Sequence, residues 1–261
     1  MIAVPRRLTF ARGFSLVELA VVLVIVALLI ASLVFPLSAQ QDIRARQETE
    51  KMFSDIREAL IGFAIANGRL PRPAISFANG LERSTACDDD ELEGEDDSCA
   101  GFIPWATLGV QKLDGWNKLI RYSVSPTYAN AAITLTTVAN RTVQTRDKDG
   151  TVMDLAGNNS VSPPTDRCKT AAQCVPAVVF SHGKERWGTT DSGVALADGS
   201  ATNTDEDANN LGNTGPNSTF NYFSRLSSSD TTAVGGEFDD IVVWLPATIL
   251  TNRMITTGKL P

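Results

Sequence analysis

Residues 14–35 read FSLVELAVVLVIVALLIASLVF, an apolar run interrupted by one charge, Glu18. About 20 such residues, rising roughly 1.5 Å each, match a hydrocarbon core of about 30 Å, so the run predicts a membrane-spanning helix. Pro36 removes one backbone donor, which kinks or loosens a helix without ending it. Beyond it the pattern turns amphipathic. Ile43, Met52, Phe53, Ile56, Leu60 and Phe63 recur near helical spacing, with Arg44, Arg46, Glu48, Glu50, Asp55 and Arg57 on other faces. The helix is therefore expected to continue over 36–67, its stripe packing on a globular head, until Asn67-Gly68 and Pro71 stop it. About fifty residues in one helix would reach roughly 80 Å.

In the remainder, 68–261, four segments read as strands: 119–124, 133–138, 175–180 and 241–245. Each is rich in β-branched or aromatic residues and bounded by Pro, Gly, Asn or Asp. An antiparallel sheet of about four or more strands is the expected outcome, which makes the fold class α+β. Residues 191–219, heavy in Asp, Asn, Thr, Ser and Gly, offer little apolar surface to bury and read as a loop or partly disordered insertion.

The apolar run has a directional flank. Residues 1–13, MIAVPRRLTFARG, carry Arg6, Arg7 and Arg12 and no acid, so the positive-inside bias keeps that end in the cytoplasm and sends the head outward. A secretory signal peptide is cut after its apolar segment, whereas here the plausible processing mark, Gly13-Phe14, stands before it. Cutting there leaves the helix on the mature chain. A carboxylate within the bilayer costs at least about 2.5–3.5 kcal/mol and tends to be retained where it finds a partner. The plain alternative for Glu18 is snorkelling to the interface of a signal anchor.

Composition narrows the function classes. The chain has 261 residues, 43% hydrophobic and 20% charged, enough for one exported domain beyond the helix. Its net charge of −7 becomes about −10 once residues 1–13 are lost, so a broad basic face for nucleic acid is not expected. Cys87, Cys99, Cys168 and Cys174 lie outside the apolar run, where oxidation is normal. Three connectivities are open to them; pairing Cys87 with Cys99 and Cys168 with Cys174 closes short loops.

Catalysis finds little support. No C-x-x-C occurs, and the sole histidine, His182, lies in a segment apart from the cysteines, which argues against zinc. Ser181 and His182 are adjacent, and neighbouring strand residues point to opposite faces, so they do not form a nucleophile and base; His182 is expected at a turn or surface. For calcium, Asp147-Lys148-Asp149-Gly150 fails as an EF-hand loop because Thr145 and Ala156 would stand at its first and last ligand positions. Asp205-Glu206-Asp207-Ala208-Asn209-Asn210 fails as well, with Asn210 in place of the turn glycine and Pro216 at the end.

Gly13-Phe14-Ser15-Leu16-Val17-Glu18-Leu19 resembles the processing and methylation signature of type IV prepilins and type II secretion pseudopilins. It joins a basic leader, Gly before Phe, Glu at the fifth mature position and a long apolar run. The resemblance implies that a prepilin peptidase cuts after Gly13 and methylates the amine of Phe14. It implies that Glu18 pairs with the cationic N-terminus of a neighbouring or the same subunit during assembly. It further implies a single-pass protein of the bacterial inner membrane with a periplasmic, type IV pilin-like head. An inner-membrane assembly platform would draw it, with other pilin or pseudopilin subunits, into a type IV pilus or type II secretion pseudopilus.

Three later blocks, Asn67-Gly68-Arg69-Leu70-Pro71-Arg72-Pro73-Ala74, the stretch GFIPWATLG at 101–109 and Asp114-Gly115-Trp116-Asn117, are similar to a pseudopilin-like subset of the same family, with Arg72 where many relatives carry cysteine. Residues 235–244, GGEFDDIVVW, resemble the late loop and strand where major pseudopilins coordinate calcium, which makes Asp239 and Asp240 candidate ligands. The expected function is a non-enzymatic structural subunit, a pseudopilin or minor pilin. The alternative is a membrane-anchored tip adhesin or surface-binding module using the loop at 191–219.

Overall fold

The computed structural model describes residues 15–88, 99–158, 168–170, 172–185, 187–211 and 220–261, and the backbone alone at 31–39, 210 and 211. Gly13, Phe14, residues 89–98 and residues 212–219 of the expected insertion lie outside the described residues. The chain divides into two compact units, Met1–Ile43 and Arg44–Pro261.

Helix α1, Leu16–Asn67, is unbroken across Pro36. Gly68 ends it: at φ 73° it takes the left-handed conformation that spares a glycine any Cβ clash, and its N–H reaches Ala64 O at 2.8 Å. Among the described residues no helix is long and apolar enough to cross a membrane. The apolar side chains described, 16–30, cover only roughly 22 Å at about 1.5 Å per residue. The expected span of 14–35 reaches beyond them at both ends.

In the second unit the expected antiparallel sheet is present, with strands β1 (Ala100–Phe102), β2 (Arg121–Val124), β5 (Ala177–Ser181) and β9 (Ile241–Leu245) in the order β1-β2-β5-β9. Its register places Tyr122, Val179 and Val243 on one face, and Ser123, Val178 and Trp244 on the other. The first face packs on Phe53, Ile56, Leu60 and Ala64 of α1 and on Leu250 and Met254 of α5, Ala247–Thr256, while the one-turn helices α2, Trp105–Leu108, and α3, Pro126–Ala129, stand before and after β2 in the chain. Ile43, expected on the same stripe, is exposed.

The second face is covered too, which explains why all five residues of β5 are buried. A three-stranded sheet, β4-β3-β8, lies over it, with Val143, Phe220 and Tyr222 packed on Val178, Phe180 and Val242. Here β3 (Arg141–Arg146) and β4 (Val152–Ala156) form an antiparallel hairpin, while β3 and β8 (Phe220–Phe223) run parallel. This second layer was not expected, because RTVQTR alternates too weakly to read as a strand. Between the layers the buried guanidinium of Arg141 lies 4.0 Å over the Phe220 ring and donates to Ser123 Oγ at 2.7 Å.

Two expected elements are corrected. Residues 133–138 are not a strand: Thr134 and Thr137 bond to each other through hydroxyl and backbone, and local side-chain bonding of this kind competes with a sheet ladder. Within the expected insertion, residues 191–211 are not simply a loop, since they hold the short strand β7, Ala195–Leu196, paired with β6, Gly188–Thr189, and the helix α4, Thr204–Leu211. Asp147-Lys148-Asp149-Gly150 is the β3–β4 turn, closed by Asp147 Oδ1 accepting from the N–H groups of Asp149 and Thr151. Cysteines pair as Cys87–Cys99 and Cys168–Cys174, with Cα separations of 5.0 and 5.5 Å.

Phe53 is 1% exposed at the centre of the larger core. Phe53→Ala should lower unfolding stability by about 3–5 kcal/mol. Ile255→Ala, at an exposed position, should stay within about 0.5 kcal/mol. Denaturant titration of the full chain in detergent checks both.

Candidate functional site

Glu18 stands in the first turn of α1. Its carboxylate Oε2 accepts the Ser15 N–H at 3.0 Å, and Ser15 Oγ accepts the Glu18 N–H at 3.2 Å. This is a capping box, in which two helix-end donors are satisfied reciprocally. An acid here is also favoured by the positive end of the helix dipole. The sequence signal was legible, since Ser15-Leu16-Val17-Glu18 has the S-x-x-E spacing before an apolar run. Glu18 thus has a function within its own helix besides any partner it meets.

The second site lies where α4 meets the start of β9. One carboxylate oxygen from each of Glu206, Asp239 and Asp240 lies within 4.8 Å of the others. Asp239 Oδ2 accepts the N–H groups of Lys184 and Glu185 at 2.7 and 2.8 Å. Glu206 Oε1 accepts the Asp239 N–H at 2.5 Å, and Asp240 Oδ2 accepts from Asn209 Nδ2 at 2.7 Å. The remaining oxygens of the two aspartates, Asp239 Oδ1 and Asp240 Oδ1, are buried without a hydrogen-bond partner.

Close backbone approach builds this arrangement. A Cβ on Gly183 would stand 2.6 Å from the Asp239 carboxylate carbon, so only glycine lets the turn after β5 wrap that side chain. A Cβ on Gly236 would meet Thr202 O at 1.9 Å, so the glycine pair at 235–236 admits the chain entering α4. Asp205, 1% exposed, is neutralised by Arg146 Nη2 at 2.7 Å and Arg225 Nε at 3.0 Å. Asn209 serves the backbone of β8 as a strand neighbour would, giving to Phe223 O at 3.0 Å and accepting from its N–H at 2.7 Å. These contacts fix α4 and hence Glu206.

His182 is not at the surface, as the sequence reading had it. It is 2% exposed, its ring meets Phe180 edge-on at 5.3 Å, and its Nδ1 lies 3.4 Å from Asp240 Oδ1. Neither ring nitrogen has a hydrogen-bond partner. Beside it, Lys118 Nζ donates to His182 O at 3.2 Å and to Glu185 O. Ser181 gives its hydroxyl to Asp114 Oδ2 at 2.5 Å, away from the imidazole.

Electrostatics follow from burial. Loss of water, then the Asp240 charge, pushes the Glu206 carboxyl up to about 8. Burial likewise pushes Asp239 up to about 6, with Asp240 adding to the effect. Burial lowers the Lys118 ammonium, and Asp239 and Asp114 act against it. Clustered carboxylates with unfilled oxygens suit a hard divalent cation, whose oxygen ligands stand at about 2.3–2.6 Å from calcium. Of the expected ligands, the structure brings Asp239 and Asp240 together and adds Glu206. The acidic run at 205–207 was rejected in the sequence for its loop spacing, a test that cannot detect a ligand joined from a distant segment.

Residues 9–34 match the sequence family described as Prokaryotic N-terminal methylation motif, the type IV prepilin-like signal. That signal implies processing by a prepilin peptidase and assembly with other pilins. No curated protein and no solved structure matches the chain.

The raised carboxyls make a signed pH prediction for metal-free protein. The folded state holds protons that the unfolded chain releases above its ordinary carboxylate range, so their stabilisation is full below about pH 4 and is lost as pH rises through about 6 and 8. In EDTA, the thermal midpoint of the full chain should fall between about pH 5 and 8. Glu206→Gln should flatten most of that slope, as read by circular dichroism melts.

Proposed function

We propose that the chain is a prepilin-type structural subunit, a pseudopilin or minor pilin, assembled into a type IV pilus or type II secretion pseudopilus. The observation that carries this reading is the methylation motif over residues 9–34. The basic leader with Arg6, Arg7 and Arg12 and the apolar run at 14–35 are its supports. The helix spans the inner membrane before assembly, with its N-terminus cytoplasmic and the head periplasmic. An inner-membrane platform then moves subunits from the bilayer into a fibre, where apolar helices pack on one another and Glu18 meets a methylated Phe14 amine.

The head has no catalytic role in this reading. Asp239 and Asp240 hold calcium, and the two buried oxygens without hydrogen bonds support that assignment. Such a cation would stabilise the start of β9 and supply no reaction chemistry.

Mass spectrometry of the mature N-terminus tests the reading: in cells with an active prepilin peptidase the chain should begin at methylated Phe14. Material still carrying residues 1–13 would overturn it. Glu18→Ala should insert normally yet enter sheared fibres at a level lower by about tenfold or more, as the loss of a buried ion pair is costly. Quantitative blotting of fibre and membrane fractions reads the ratio.

A further inference from the structure

The calcium assignment above rests on Asp239 and Asp240, which neighbour one another in the chain. Glu206 does not: it comes from α4, thirty-odd positions earlier, and yet its carboxylate lies within 4.8 Å of both aspartate oxygens. We infer that Glu206 is the third protein ligand of a hard divalent cation, so that cation binding and the docking of α4 onto the start of β9 are one event. This rests on the proposed calcium site and extends it to a segment that the sequence reads as a loop.

Charge supports the inference. The Lys118 ammonium lies in the field of four carboxylates, Asp239, Asp114, Asp240 and Glu206. Two arginines at α4, Arg146 and Arg225, are taken by Asp205. A divalent cation among three carboxylates removes most of the remaining repulsion.

An independent observation comes from the neighbouring imidazole. His182 is 2% exposed, points Nδ1 toward Asp240 Oδ1 at 3.4 Å, and has no hydrogen bond at either ring nitrogen. A buried polar group without a hydrogen bond costs about 1–3 kcal/mol. Asp239 Oδ1 and Asp240 Oδ1, buried and likewise without one, are the oxygens that a bound cation would satisfy beside this imidazole. The His182 nitrogens fall outside the set that gathers within 4.8 Å, so the donors are all oxygen, which favours calcium over zinc.

Geometry gives the cation mechanical consequence. Glu206 Oε1 already accepts the Asp239 N–H at 2.5 Å, and its Oε2 accepts from Asn203 Nδ2 at 3.1 Å. The side chain is therefore held at both oxygens, one toward β9 and one toward the entry of α4. A cation bound at this carboxylate transmits its hold directly to residues 203–209.

The test uses the full chain in detergent, titrated with calcium chloride after EDTA treatment, with isothermal titration calorimetry and hydrogen–deuterium exchange of peptides covering 204–211. Wild type should bind calcium and show slowed exchange across α4. Glu206→Gln keeps an acceptor for the Asp239 N–H, so it should fold. It should bind at least about tenfold more weakly, which is about 1.4 kcal/mol, and lose the calcium-dependent slowing. If wild type binds while Glu206→Gln binds equally well, or if α4 exchange in wild type ignores calcium, the inference fails and the aspartate site stands. If wild type binds no calcium, both fail. Asp240→Asn should weaken binding on either account, which separates a lost site from a lost third ligand.

Discussion

A carboxylate removed from water needs donors or a counter-charge, and the head of this chain removes several at once where α4 meets β9. The consequences differ residue by residue. Asp205 receives two guanidinium groups, Arg146 and Arg225, and the same Arg225 also donates to the carbonyls of Gly235 and Gly236, at 3.1 and 2.7 Å. This triad of Asp205, Arg146 and Arg225 thereby joins β3, α4 and the glycine turn. Breaking one partner of such a network typically costs about 3–5 kcal/mol, since the other charge stays buried. Among the described residues, no ion pair joins Glu206, Asp239 or Asp240 to a guanidinium. They draw on backbone N–H groups, Asn203, Asn209 and the field of Lys118, and the Glu206 and Asp239 carboxyls rise in consequence.

The two-layer head explains why these groups are buried at all. Sheet β1-β2-β5-β9 has α1 and α5 on one face and β4-β3-β8 on the other, so the end of β5 and the start of β9 lie inside. His182 and Asp240 stand at those ends and are carried in with the strands. The second sheet would present an open edge at β8, an arrangement that invites stray pairing. Asn209 closes that edge with its amide, and the same Nδ2 reaches Asp240. Covering an edge and collecting acids are thus the work of one residue on one helix.

This organisation was partly legible in the sequence. The apolar run, its amphipathic continuation and the stop at Asn67-Gly68 follow from local periodicity and a glycine in the left-handed region, and α1 ends there. Strands β2, β5 and β9 carry strong β-branched and aromatic signals. Strand β3 does not, because Arg141 is buried by a ring and by hydrogen bonds rather than by being apolar, a circumstance that depends on Phe220 about eighty positions away. Parallel pairing of β3 with β8 leaves no short-range turn signal. Helix α4 was hidden by composition: TDEDANNL has few apolar groups, and it is held instead through Asp205, Glu206 and Asn209. The carboxylate cluster was half legible. Adjacent Asp239 and Asp240 could be singled out, whereas Glu206 and His182 join them through tertiary structure alone.

Glu18 raises the question whether a helix cap and a subunit contact compete for one carboxylate. An ionised carboxylate offers about four acceptor sites on two oxygens, and the Ser15 N–H occupies one of them. The cap therefore leaves capacity for an ammonium. Processing after Gly13, as proposed, would create that ammonium on Phe14, the residue before Ser15 in the chain. A capped Glu18 is held at the right end of its helix before any partner arrives, which lowers the entropy lost on pairing. In this arrangement the cap supports the pairing rather than opposing it. Ser15 holds that end of the helix in place through its hydroxyl, which accepts the Glu18 N–H at 3.2 Å.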